Sequence, residues 1–117
     1  MADLSRFLVL FQIPPAVIAE WMKTDPATRA PAEQKMREAG QDWMKRHGSM
    51  FVASEAGGAT KRVTPDGVAD YKNSVMLYSV VQGASHDEVA RAFADHPHLT
   101  IPQASIEVMA VRPMTGM

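Results

Sequence analysis

The chain has 117 residues, 46% hydrophobic and 21% charged, with 12 Lys and Arg against 13 Asp and Glu for a formal net charge of -1. That length fits one domain over residues 1–117, large enough to bury a core without covalent staples, and no basic surplus exists to displace counterions from a nucleic acid, so no nucleic-acid partner is expected. The chain has no cysteine, which excludes disulfides, thiolate metal sites and a cysteine nucleophile together.

In chain order, Arg6 to Gln12 (RFLVLFQ) is a short apolar run closed by Pro14-Pro15. Its length and its proline boundary predict a buried strand. The run is too short for a membrane span, which needs ~20 apolar residues. It also lacks the basic flank of a signal peptide. No membrane partner and a cytoplasmic location are expected. A helix starts at Pro15, with Val17, Ile18, Trp21 and Met22 as its apolar stripe, and Thr24-Asp25-Pro26 interrupts it. A second helix is predicted from about Pro31 to Arg46, with Met36, Ala39, Trp43 and Met44 on one face. Lys45, Arg46 and His47 suit its C-terminal dipole, and Gly48 stops it.

Ser49 to Ser54 reads as a second strand, and Thr60 to Val63 as a candidate short extra strand. Thr64-Pro65-Asp66-Gly67 is turn chemistry. Ser74 to Gln82 (SVMLYSVVQ) has the clearest strand composition in the chain. Ser85-His86-Asp87-Glu88 forms a capping box and opens a helix carrying Val89, Ala90 and Phe93, which ends before Pro97. After the Ile101-Pro102 turn, Ser105 to Val111 is the last strand, and Met114 to Met117 is a loose tail.

This order, βαββαβ, is ferredoxin-like: an α+β fold with helices on one face of a four-stranded antiparallel sheet. Alternation along the strands divides the residues. Phe7, Val9, Phe11, Val75, Leu77, Ile106 and Val108 should meet the helices. Leu8, Leu10, Gln12, Met76, Tyr78, Glu107 and Met109 form the opposite face, which is largely apolar with no element left to cover it. A second copy, sheet against sheet, is the economical cover, so a homodimer is expected.

Two stretches resemble the YCII-related (DGPF-type) family: Asp95-His96-Pro97-His98-Leu99 followed by Ser105-Ile106-Glu107-Val108-Met109, and Ala56 through Val68. Trp43-Met44 and the closing Thr115-Gly116-Met117 fit as well. The resemblance runs over nearly the whole chain and implies a dimeric α+β barrel. Some YCII-like proteins use a His-Asp pair in a dimer cleft. This sequence has no His before His47 and no DGPF tetrapeptide, so no early catalytic His is carried over.

The candidate chemistry rests on few groups. His96 and His98 form an H-x-H at the end of the last helix, where two imidazoles could handle a proton or touch a ligand. A metal site would need further ligands that the neighbouring sequence lacks, so no metal is expected. The plainer reading is a polar helix terminus in which His96 meets the last carbonyls. Glu107, between Ile106 and Val108, falls on the uncovered face, where a partly desolvated carboxylate suits general acid or base work. Pairing with an Arg across the dimer, or a place on a solvated edge, is its alternative. Glu107, His96 and His98 are the catalytic candidates, expected close together. Tyr78 and Gln12 are the ligand-binding candidates. His86 reads as an exposed first-turn residue. Phosphate-loop and dinucleotide spacings are absent, so no cofactor is expected. Two function classes follow. One is a small-molecule binder or acid/base enzyme acting on a small, partly apolar substrate in a dimer cleft. The other is a non-catalytic homodimeric interaction or regulatory module.

Overall fold

The protein is seen in a computed structural model that describes residues 4–114. The closing Thr115-Gly116-Met117 of the family resemblance, and with it most of the expected tail, lies outside the described residues. The elements are β1 (Ser5–Gln12), α1 (Pro15–Met22), α2 (Pro26–His47), β2 (Phe51–Ala56), β3 (Thr60–Thr64), β4 (Gly67–Tyr71), β5 (Val75–Gly83), α3 (His86–Ala92) and β6 (Ser105–Val111). Two three-ten turns, Gly48–Met50 and Pro97–Thr100, precede β2 and β6. The main sheet runs β2-β5-β1-β6, with every neighbouring pair antiparallel. This is the ferredoxin-like α+β arrangement, with β1 and β5 central. β3 and β4 form a separate two-stranded hairpin.

The inward residues of β1 build the core. Phe7, Val9 and Phe11 pack with Trp43, Val81, Val89 and Phe93 into one buried cluster, and Leu77, Ile106 and Val108 lean against it. Fully burying a Val or Phe side chain contributes roughly 1.5–3 kcal/mol, so these residues fix which face the helices cover. α3 is capped as expected at one point of the box: Ser85 Oγ accepts from the Glu88 N–H at 3.1 Å. Its Val89 and Phe93 are buried, whereas Ala90 is exposed. Gly83, at the end of β5, lets α3 close, since a Cβ there would lie 2.2 Å from Val89 Cγ2.

Several expectations shift. α2 begins at Pro26, not Pro31: Asp25 is the residue before the helix and Pro26 its first, a position where the missing N–H costs nothing. Pro31 lies inside the helix, about one and a half turns further on. Of the apolar residues expected on the helix faces, Trp43 is fully buried and Met36 is half-buried, but Ala39, Trp21 and Met44 are exposed. β2 starts at Phe51, because Gly48 keeps a right-handed φ of -61° and the chain continues into a three-ten turn. Strand β4 went unread because it is solvent-exposed throughout, as is its partner beyond Thr60, and neither carries an alternation of burial. A bulge after Phe11 sets Val75, rather than Met76, opposite Gln12. The alternation breaks there, and Val75 stands outside the core cluster.

The chain is open for its length. Its radius of gyration is 16.6 Å, against about 13 Å for a compact domain of this size. The 22-residue α2 buries only Trp43, and the β3–β4 hairpin leaves Val63, Val68 and Tyr71 exposed. No helix among the described residues is long and apolar enough to cross a membrane.

Candidate functional site

The uncovered face of the sheet is built from rows of cross-strand partners. One row reads Glu55, Tyr78, Leu10, Glu107 across β2, β5, β1 and β6. The next reads Ala53, Val80, Leu8, Met109. Hydrogen bonds order the polar members. The Tyr78 hydroxyl donates to Glu55. Ser74 Oγ donates to Gln12 Oε1 at 2.6 Å, and Gln12 Nε2 donates to Glu107. A carboxylate can only accept here, so the Gln12 amide orientation follows from its neighbours. The bond to Glu55, and the charge of that carboxylate, hold the Tyr78 phenol above its usual pKa of 10.0. It is therefore a neutral hydroxyl at physiological pH.

Adjacent strands lie about 4.8 Å apart, so Glu55 and Glu107 stand roughly 14 Å apart across three spacings. Between them are a phenol and Leu10. No cation belongs to this row. Arg6 pairs with Gln82 and Val111 two rows away.

The two histidines lie on the other side. His96 sits 5.1 Å from the Phe11 ring and 4.6 Å from Trp43, and His98 sits 5.5 Å from Phe11, all on the helical face. The expected grouping of His96, His98 and Glu107 is therefore corrected. Closeness along the chain did not bring them together, because Glu107 projects from the opposite face of the sheet. His98 is 8% exposed, and its Nε2 meets the Gln12 carbonyl at 2.9 Å. A carbonyl only accepts, so Nε2 carries the proton.

His96 caps the Pro97–Thr100 turn: its Nδ1 accepts from the His98 backbone N–H at 3.0 Å. Its side chain does not meet the carbonyls that close α3, as the sequence had suggested; only its backbone N–H does, donating to the Phe93 carbonyl at 3.1 Å. With Nδ1 an acceptor, the neutral ring carries its proton on Nε2. Burial, then the neighbouring His98, lowers its pKa to about 4. Beside it, Asp95 accepts from Trp43 Nε1 at 3.1 Å and from Arg46 at 3.0 Å, and these bonds, with Arg46 first, hold its carboxyl below its usual range. His86 is exposed, as read, yet its Nε2 donates to the Val108 carbonyl at 2.7 Å and its ring stacks on Phe7. Among the described residues no three His, Asp or Glu side chains gather in a way that could hold a metal ion.

Glu55 was missed. Counting by twos from the inward Phe51 would point Glu55 into the core. A bulge between Phe51 and Ala53 resets the register, placing Ala53 opposite Val80 and Glu55 opposite Tyr78, and no residue type at Val52 signals it.

Fold and site together define a ferredoxin-like α+β protein with a polar row set in an open, largely apolar sheet face. No protein-family model matches the chain, and no curated protein matches it. A similar solved structure is 5-chloro-2-hydroxyhydroquinone dehydrochlorinase from Burkholderia phenoliruptrix AC1100, in complex with 2,5-dihydroxybenzoquinone. The two are 12% identical, with 97% of this chain and 96% of that one covered, at a TM-score of 0.49.

Proposed function

We propose that this chain is a YCII-related homodimer that binds a small, partly apolar molecule between the open sheet faces of two copies, with Glu107 as the acid/base group. The observation that carries this reading is the row Glu55, Tyr78, Leu10, Glu107. Its surroundings, Leu8, Val80 and Met109, call for a cover. Its carboxylates resist a dry one, since an unpaired buried carboxylate costs several kcal/mol. A cover that spans both needs a polar cleft, and that is where a ligand would sit. The family resemblance of the stretches around Asp95–Leu99 and Ser105–Met109 supports the same dimeric barrel.

The chemistry of the row sets the ligand class. Two carboxylates accept hydrogen bonds and repel anions. The ligand is therefore a neutral small molecule that brings a hydroxyl or an acidic C–H bond, with an apolar body over Leu8 and Leu10. Gln12 and Tyr78 orient it, and Glu107 takes or returns the proton. His98 is a positioning residue in this account: it holds the Gln12 backbone, and Gln12 holds Glu107. His96 faces away from the cleft.

An enolisable aryl ketone, acetophenone, tests the reading in deuterated buffer. Binding is read from protein NMR shifts at Leu8, Leu10 and Tyr78, and proton transfer from loss of the ketone α-proton signal. The expected result is exchange above the buffer rate in the wild type. Glu107→Gln, which keeps shape and removes charge, should retain binding and lose exchange. Absence of binding, with Glu107→Gln altering only stability, would leave the non-catalytic homodimeric module as the function.

A further inference from the structure

Across the sheet from that cleft, α2 presents Arg37, Gly40, Gln41, Met44 and Lys45 beside His96, lining a shallow groove of about 550 Å³. The groove is open rather than enclosed, so a ligand there would be held from one side. The five helical residues fall at i, i+3, i+4, i+7 and i+8, which is one face of a helix. On a helix packed against its own chain that face would be apolar, but here it is cationic and notched.

The notch is Gly40. Glycine is less favourable than alanine inside a helix, and one thing it permits there is close approach of another group to the backbone. Among the described residues nothing approaches it: a Cβ built at Gly40 would find no atom within 4 Å. The intramolecular packing does not account for the glycine, and its open side faces the groove.

The remaining groups around the notch are short of acceptors. Arg37 donates to the neutral amide of Gln34 at 2.6 Å and has no carboxylate partner among the described residues. Lys45 stands 3.8 Å from Asp42, with both side chains largely solvated, a loose pair of small energetic weight. The His96 imidazole is locked by its Nδ1 contact, so it offers an Nε2–H donor. That donor has no acceptor among the described residues. Met44, 42% exposed, supplies an apolar wall.

We infer that the groove between α2 and His96 is a second binding site, one that takes a small organic carboxylate with a flat apolar body. The carboxylate accepts from Arg37, Lys45 and the His96 Nε2–H, and the body lies in the Gly40 notch against Met44. Charge preference separates it from the cleft on the open face, whose row is anionic. It does not depend on that cleft.

Benzoate is the probe, with benzamide as its uncharged analogue, in an NMR titration of the isotope-labelled protein. Benzoate should give saturable shifts in 37–45 and at His96, with a Kd of about 1 mM or tighter, and benzamide should give none. Gly40→Ala should fill the notch and weaken benzoate about tenfold, while raising Tm by a few degrees as a helix-favouring change. Arg37→Gln should weaken benzoate severalfold without moving Tm. Several results would overturn the inference. One is no saturable shift in this region. Another is equal binding of benzamide. The third is a Gly40→Ala variant that keeps its benzoate affinity or sediments as a smaller species, which would make the notch a contact with a second copy. Shifts confined to Leu8, Leu10 and Tyr78 would likewise overturn it while leaving the open-face cleft standing.

Discussion

His98 and Gln12 are joined through the backbone: the imidazole Nε2–H of His98 donates to the Gln12 carbonyl at 2.9 Å on the helical face, while the Gln12 side chain reaches Glu107 on the open face. One residue at the end of a central strand thus ties the buried histidine to the candidate acid/base group. His98→Ala removes the donor, leaves a part-buried carbonyl without its partner and opens space beside Phe11. The expected cost is about 2–3 kcal/mol, read as a lower urea midpoint with an unchanged m-value. An unchanged midpoint would mean that the histidine anchors nothing.

Gly83 is a packing requirement and no turn residue. Its added Cβ would meet Val89 Cγ2 at 2.2 Å, and Val89 is 3% exposed and stiffly branched. Gly83→Ala should therefore cost about 1–3 kcal/mol by overpacking, whereas alanine in a solvated strand position would be nearly neutral. A thermal melt matching the wild type would show that α3 sits further from β5 than described.

Acid should destabilise the protein in two stages. His96 has a folded pKa of about 4, depressed from 6.5, chiefly by burial. Between those values the unfolded chain binds the extra proton, so stability is full above pH 6.5 and falls as the pH drops toward 4. His98, Asp95 and His47 are the titratable groups acting on it, with Trp43, Phe11 and Phe93 packed around the ring. Asp95, held down by Arg46 and Trp43, adds a loss of the same sign that begins as the pH falls below the ordinary 3.8. His96→Asn keeps an acceptor for the His98 N–H and removes the titration. Urea titrations across pH should then lose the slope between 6.5 and 4 and keep the loss below it. A slope unchanged by the substitution would contradict this assignment.

The sheet was legible because its signals are physical and local. Phe7, Val9 and Phe11 alternate with Leu8, Leu10 and Gln12, and only one of the two sets can face the helices. The Ser85 cap was readable from one side chain and its spacing to Glu88. What escaped were features with no side-chain signature. The bulges at Val52 and Met76 change which face later residues take, hiding Glu55 and misplacing Val75. The exposed hairpin buries no stripe. The His96 and Glu107 grouping failed for a related reason: nearness along a chain says nothing about which side of a strand a residue leaves from, and Glu107 leaves from the side away from α3. Helical spacing places Trp21 and Met44 on apolar stripes, but on an open chain of this kind an apolar stripe can remain uncovered.

Sedimentation equilibrium at micromolar concentration measures most directly whether a second copy covers Leu8, Leu10, Val80 and Met109. A C2 pairing of the open faces predicts twice the 12.8 kDa chain mass, with Leu10→Asp shifting the protein toward a monomer or an unfolded chain, because a charge would then lie in the centre of the paired faces. A wild-type protein that sediments as a stable monomer, or a Leu10→Asp variant that remains a dimer of unchanged affinity, would contradict it.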